Sequence, residues 1–164
     1  LDVRLLCVYL NRMKRMVGYM ITWTTYGTWL QGDKRGYVKD GKVFEDREDL
    51  YKANTTRLKN PATKLNAEHR KIVSQAILRK SQEIGQRVYA IAVCSNHVHI
   101  AAERTSDSIE QVVSYYKNAA RLALREGGVI GRIWTKGFDK RFCFDESELK
   151  SKIRYIESHA DRAG

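Results

Sequence analysis

Residues 87–103 constrain the fold of this chain more than any other stretch. Arg87-Val-Tyr-Ala-Ile-Ala-Val-Cys94 is rich in apolar and β-branched residues, and His97-Val-His-Ile-Ala-Ala-Glu103 follows the short turn Ser95-Asn96. Two strands joined by so short a turn pair antiparallel, because a parallel return needs a crossover of about a dozen residues or more. The period of two then places His97 and His99 on one face of the sheet and Val98 on the other.

The rest of the chain supplies partners for this pair. Residues 17–25 alternate, with Tyr19, Ile21 and Trp23 on one side, and read as a first strand. Asp33 to Lys64 is polar, mixed in charge and contains the only proline, Pro61, so it reads as a long excursion with little core of its own. Asn66 caps a helix to about Gly85, carrying Ile72, Val73, Ala76 and Ile77 on one side. Ser106 or Asp107 opens a second helix to about Glu126, closed by Gly127-Gly128. Ile133 to Phe144 is strand-like with a break at Gly137. Asp145 and Glu148 have the spacing of a capping box for a last helix over about 146–159. This order predicts an α+β domain with helices packed on an antiparallel sheet.

Composition limits what such a domain could do. At 164 residues one domain fits, expected over 17–164, with 1–16 as an N-terminal extension. No run reaches the roughly 18 apolar residues that span a bilayer, so no membrane partner is expected. Cys7, Cys94 and Cys143 are odd in number and far apart, which argues against a disulfide framework and points to a reducing, cytoplasmic setting. Thirty Lys and Arg against 19 Asp and Glu give a net charge of +11, which favours an anionic partner, nucleic acid before membrane surface. A solubilised basic surface would give the same number.

Two motifs carry chemistry. His97 and His99 offer two imidazoles on one rigid face, half of a divalent metal site, although two partly buried histidines on a half-polar strand would look the same. In the last helix Tyr155 and His159 lie one turn apart, about 100° around from the apolar stripe of Leu149, Ile153, Ile156 and Ala160. Three of the four histidines thus fall in two motifs, and one of them stands beside a tyrosine outside the core stripe. His69 is left over as a solvated or packing residue. Tyr115 and Tyr116 are rival tyrosines on the second helix, where Tyr116 shares the face of Ile109, Val112, Val113, Ala120 and Ala123. Lys117, Arg121 and Arg125 follow at spacings of four on another face and could track a phosphate backbone, or be solvated.

Ser95-Asn-His-Val-His-Ile100, a following helix, and Arg154-Tyr-Ile-Glu-Ser-His159 together resemble the IS200-like and REP-associated single-tyrosine HUH transposases. Further matches are Ile21-Thr-Trp-Thr-Thr-Tyr-Gly-Thr-Trp-Leu-Gln-Gly-Asp-Lys-Arg-Gly36 and Asp161-Arg-Ala-Gly164, so the resemblance extends over about residues 17–164. It implies a ferredoxin-like HUH core and metal-dependent cleavage and rejoining of single-stranded DNA in transposition. By the same resemblance His97, His99 and His159 would ligate Mg²⁺ or Mn²⁺, and Tyr155 would attack the phosphate to give a 5′-phosphotyrosine. The family more often has Gln or Asn where this chain has His159, and a third imidazole shifts preference towards Mn²⁺ or a softer ion. No dedicated base for the tyrosine is legible. Hairpin-bearing single-stranded DNA is the implied partner, with Arg35, Lys39, Lys117, Arg121, Arg125, Arg132 and Lys140 as candidate backbone contacts. A homodimer, in which the tyrosine helix can complete the partner's site, is implied as well. A catalytically silent hairpin-binding protein derived from such a transposase is the alternative, and a replication initiator nuclease shares the chemistry in a longer chain.

Overall fold

Alternation in the first strand decides which side of the sheet becomes the core. In β1 (Gly18–Thr24), Tyr19, Ile21 and Trp23 are buried on one face while Thr22 and Thr24 stay half-buried on the other. A computed structural model describes residues 2–28, 37–39, 42–45, 47–57 and 61–163. Helix α1 (Val3–Lys14) precedes β1, and a hairpin of β2 (Tyr37–Lys39) and β3 (Lys42–Phe44) follows it. Then come α2 (Glu48–Thr56), α3 (Ala67–Glu83), β4 (Val88–Val93) and β5 (His97–Glu103). The chain continues through α4 (Ile109–Glu126), β6 (Asp139–Cys143) and α5 (Glu146–Ala163).

Four strands form one antiparallel sheet in the order β4-β5-β1-β6. Counting only these four along the chain, the order is second, third, first, fourth, the ferredoxin-like arrangement that the family resemblance implies. The crossover helices α3 and α4 pack against each other on one face. Val73 and Ile77 of α3, and Val112, Tyr116, Ala120 and Leu124 of α4, close a core with Tyr19, Ile21, Trp23, Val98, Ile100 and Ala102. Helix α5 covers the other face, mainly over β4 and β5, where Ile156 seats among Met20, Ala92 and Ala101. Alanines on the strands let this helix approach the sheet closely.

Local signals set most of the boundaries. The Asn66 side chain accepts from the backbone N–H of His69 and starts α3. Asp145 accepts from the N–H of Glu148, which is half of the anticipated capping box, while the Glu148 carboxylate reaches one residue further back and accepts from the N–H of Phe144. Other expectations are corrected. The cap of α4 is Ser108 rather than Ser106 or Asp107, because its hydroxyl takes the N–H of Gln111. The stretch 133–144 is not one strand: only β6 is regular, and Trp134 makes an isolated bridge to Thr25. Helix α5 runs past 159 to Ala163, and Ala160 is exposed, outside its stripe. In α4, Leu124 takes the buried place assigned to Ala123. The excursion holds a short hairpin and α2, none of whose residues is buried. Helix α1 exposes Val3, Leu5, Val8 and Tyr9, while Met13 and Met16 pack against the core.

Tyr116 is therefore a core tyrosine. Its hydroxyl donates to Gln86 Oε1, and Gln86 Nε2 donates to Tyr19 Oη at 2.7 Å and to the Glu103 carbonyl at 2.8 Å. Burial raises the pKa of both phenols, so the network is neutral. Tyr116→Phe leaves the Gln86 oxygen without its donor and should lower the unfolding free energy by about 1–3 kcal/mol in urea denaturation. Tyr115→Phe, at a half-buried position, should change it by less than about 0.5 kcal/mol.

Candidate active site

The register of β1 against β5 builds the site. Thr22 lies opposite His99 and Thr24 opposite His97, so the polar face of β1 meets the two histidines on the α5 side of the sheet. Helix α5 crosses this face with Ile156 fully buried, which turns Tyr155 and His159 towards the start of β5. The ring centres of His97 and His99 are 4.6 Å apart, those of His99 and His159 4.9 Å, and those of His97 and His159 6.0 Å. The Tyr155 ring stands 4.4 Å from His159 and 5.5 Å from His99 and is 45% exposed. Tyr155 and the three histidines thus converge within one chain.

Hydrogen bonds orient each imidazole. His97 Nδ1 donates to Asn96 Oδ1 at 2.7 Å, and His159 Nδ1 to the Tyr155 carbonyl at 3.2 Å. Both acceptors lack a proton to give, so both neutral rings carry theirs on Nδ1, which makes Nε2 the basic nitrogen of each. His99 Nδ1 bonds the Thr22 hydroxyl at 2.7 Å, where either atom can donate. One ligand nitrogen from each of the three rings lies within 4.8 Å of the other two. Two nitrogens on one ion sit at most about 4.2 Å apart, so a small side-chain adjustment would let the trio hold a divalent metal. Burial, followed by the charges of His97 and His159, lowers the pKa of His99 to about 3, so it is neutral at neutral pH, the form a metal site requires.

Thr22 and Asn96 were missed in the sequence reading. The alternation of Thr22 and Thr24 with Tyr19, Ile21 and Trp23 was the available signal for the first, and adjacency to His97 for the second.

The expected DNA contacts do not gather here. Helix α4 lies on the far face of the sheet, so Lys117, Arg121 and Arg125 are separated from the histidines by the whole layer. Lys117 donates to the carbonyls of Thr135 (3.0 Å) and Gly137 (2.6 Å), and burial lowers its pKa. It anchors the loop before β6. Arg121 bonds Asn118 Oδ1, Arg132 stacks over Tyr26 at 4.8 Å, and Lys140 pairs with Glu110 at 2.6 Å. Arg125 is exposed in the last turn of α4. Arg35 lies outside the described residues, and Lys39 is described only as backbone in β2. His69 is half-buried on α3, its Nδ1 without a hydrogen-bond partner. Among the described residues, no helix is long and apolar enough to cross a membrane.

No protein-family model and no curated protein matches the chain. Among solved structures, a REP-associated tyrosine transposase bound to a REP hairpin superposes with a TM-score of 0.56 and 12% sequence identity. The match covers 90% of this chain and 68% of that one. A candidate transposase from Deinococcus radiodurans R1 gives a TM-score of 0.46 at 14% identity, over 88% of this chain and 91% of that one. The chain has the α+β fold of the REP-associated tyrosine transposase, which agrees with the resemblance read from its motifs.

The depressed pKa of His99 has a consequence for folding. Below pH 6.5 the unfolded chain takes up a proton that the folded chain refuses until about pH 3, so this residue's contribution to stability falls as pH drops through that window. In chelator-treated protein, the stability difference between the parent chain and His99→Gln should shrink on acidification from pH 6.5 to 4.5. The slope is at most about 1.4 kcal/mol per pH unit for one proton. Parallel urea titrations with a constant difference would refute it.

Proposed function

We propose that the chain is a transposase-like, metal-dependent endonuclease and strand transferase acting on single-stranded DNA beside a hairpin. The observation that carries this reading is the convergence of His97, His99, His159 and the Tyr155 ring on one face of the sheet. A DNA hairpin as partner is supported by the hairpin-bound transposase of the same fold.

His97, His99 and His159 would hold the ion through Nε2. Three neutral imidazoles suit a divalent transition ion, Mn²⁺ better than Mg²⁺. The bound ion would polarise a non-bridging oxygen of the scissile phosphate and offset the charge that builds in attack. Asn96, Thr22 and the Tyr155 carbonyl fix the ring orientations beforehand, so little side-chain entropy is lost when the site is filled.

Tyr155 is the nucleophile in this scheme. Its hydroxyl oxygen attacks phosphorus and loses its proton. A tyrosyl O–P bond forms, the P–O3′ bond breaks, and the departing 3′ oxygen leaves protonated as a hydroxyl. One phosphodiester bond replaces another, so a 3′-hydroxyl can reverse the attack and rejoin strands without an external energy source. The buried Ile156 beside Tyr155 holds the helix against the sheet, while the exposed ring leaves room for a bulky polymer. A site complete in one chain does not need a partner's helix. A homodimer would serve instead to hold two cleaved ends near each other.

The test is incubation with labelled hairpin-bearing single-stranded DNA and Mn²⁺ or Mg²⁺, followed by a denaturing gel. A covalent protein–DNA adduct should form, disappear with Tyr155→Phe, and fall at least about 100-fold with His97→Ala or His99→Ala. Chelation should stop it, and Mn²⁺ should restore it. An adduct that survives Tyr155→Phe but not Tyr115→Phe reassigns the nucleophile. Tight hairpin binding without any adduct favours the silent binding protein.

A further inference from the structure

Helix α5 carries a second run of functional groups in line with the site. Ser147, Ser151, Tyr155 and His159 follow at spacings of four and form one stripe along the helix, about 18 Å from end to end. Its N-terminal half borders an open cleft of about 560 Å³ against the edge strand β6, within the size range of ligand sites. Lys140, Arg141, Phe142, Phe144, Ser151 and Lys152 line this cleft.

The α5 side of the cleft offers cations to a polyanion. Arg141 lies opposite Met20 and therefore on the α5 side of the sheet, the side of the histidines, where its guanidinium makes an exposed pair with Asp139 at 2.9 Å that can exchange for phosphate at small cost. Lys152 comes three residues before Tyr155 and makes no ion pair with the described residues. Phe142 lies opposite Tyr19, so its ring turns to the other face, where it and Phe144 pack half-buried against the α3–α4 core and Lys140 pairs with Glu110. One carboxylate enters the cleft, that of Glu148, and it is already held by the Phe144 N–H as part of the helix cap. Exposed cations beside a nucleophile are what a nucleic-acid backbone requires.

We propose that the cleft between β6 and α5 seats the single-stranded DNA segment adjoining the phosphate attacked by Tyr155. The proposal rests on the reading of Tyr155 as nucleophile. The strand runs along the stripe of α5, with its phosphates on Arg141 and Lys152. DNA selection near the cleavage point therefore lies on the α5 side of the sheet rather than on the basic row of α4.

The test uses the full chain carrying Tyr155→Phe, so that DNA stays uncleaved, and a fluorescent unstructured single-stranded oligonucleotide. Anisotropy titrations between about 50 and 200 mM salt give affinity and its salt slope. Adding Arg141→Ala and Lys152→Ala should weaken binding about 10-fold and make the slope shallower by about 1.4, the value for two phosphate contacts on a single strand. The charge-matched pair Lys71→Ala and Arg79→Ala, exposed on α3, should change affinity less than about 2-fold. Equal losses from both pairs would overturn the proposal, because net charge alone would then explain binding. A bromouracil-substituted oligonucleotide should photocrosslink within 139–152, and crosslinks confined to α4 would overturn it too. The covalent-adduct assay separates the two readings. An adduct with no cleft dependence removes the cleft and keeps the nucleophile, whereas cleft crosslinks without an adduct do the reverse.

Discussion

The pairing of Thr22 with His99 across β1 and β5 is the contact on which the rest of the site depends. Because side chains alternate along a strand, slipping this register by one residue would exchange the two faces of β5. Val98, Ile100 and Ala102 would meet α5, and the histidines would enter the core against α3 and α4. The buried face enforces the register: three apolar residues of β1 and three of β5 are all nearly or fully inaccessible to solvent. The histidine geometry is thus held by hydrophobic burial on the opposite side of the sheet. A polar site can be rigid where its own contacts are few, provided the backbone beneath it is fixed by packing.

The second requirement is that α5 lie close to the sheet. Gly18 marks one place where this matters: a Cβ there would come within 2.8 Å of the Ala102 carbonyl and 3.2 Å of Leu149. Leu149 and Ile156 anchor the helix at two levels, and with both seated the angular position of Tyr155 follows from the helical repeat. A tyrosine one residue along, at 156, would have been buried. The half-exposed phenol is therefore a consequence of how the apolar stripe docks.

Much of this was legible in the sequence because the relevant signals are local. Alternation, caps and the Ser95-Asn96 turn gave the sheet-forming strands and three of the helices, and spacing alone put Tyr155 off the core stripe. The boundaries that moved did so where several residues compete for one role, as Ser106, Asp107 and Ser108 do for the cap of α4. The basic contacts were harder to read. Lys117, Arg121 and Arg125 form a regular row, but sequence spacing along one helix does not show which face of the sheet that helix covers. Nor does it show that Lys117 spends donors on the carbonyls of Thr135 and Gly137. Thr22 and Asn96 escaped notice for a different reason: a supporting hydrogen bond depends on register across strands 77 residues apart in the first case and on a rotamer in the second.

The two faces of the sheet divide labour in a way that net charge hides. An excess of 11 positive charges describes the whole chain, yet the cations near the candidate nucleophile come from β6 and α5, late in the sequence. On α4 Lys117 is committed to loop carbonyls, while on β6 Lys140 pairs with Glu110 and Arg141 with Asp139. An exposed ion pair of that kind contributes little stability, of order 1 kcal/mol or less, so its partners can exchange for phosphate at small cost. Lys117 is different, since its half-buried ammonium would have to leave two carbonyls unpaired. Position within the fold, more than count, decides which cations would meet DNA at the proposed site.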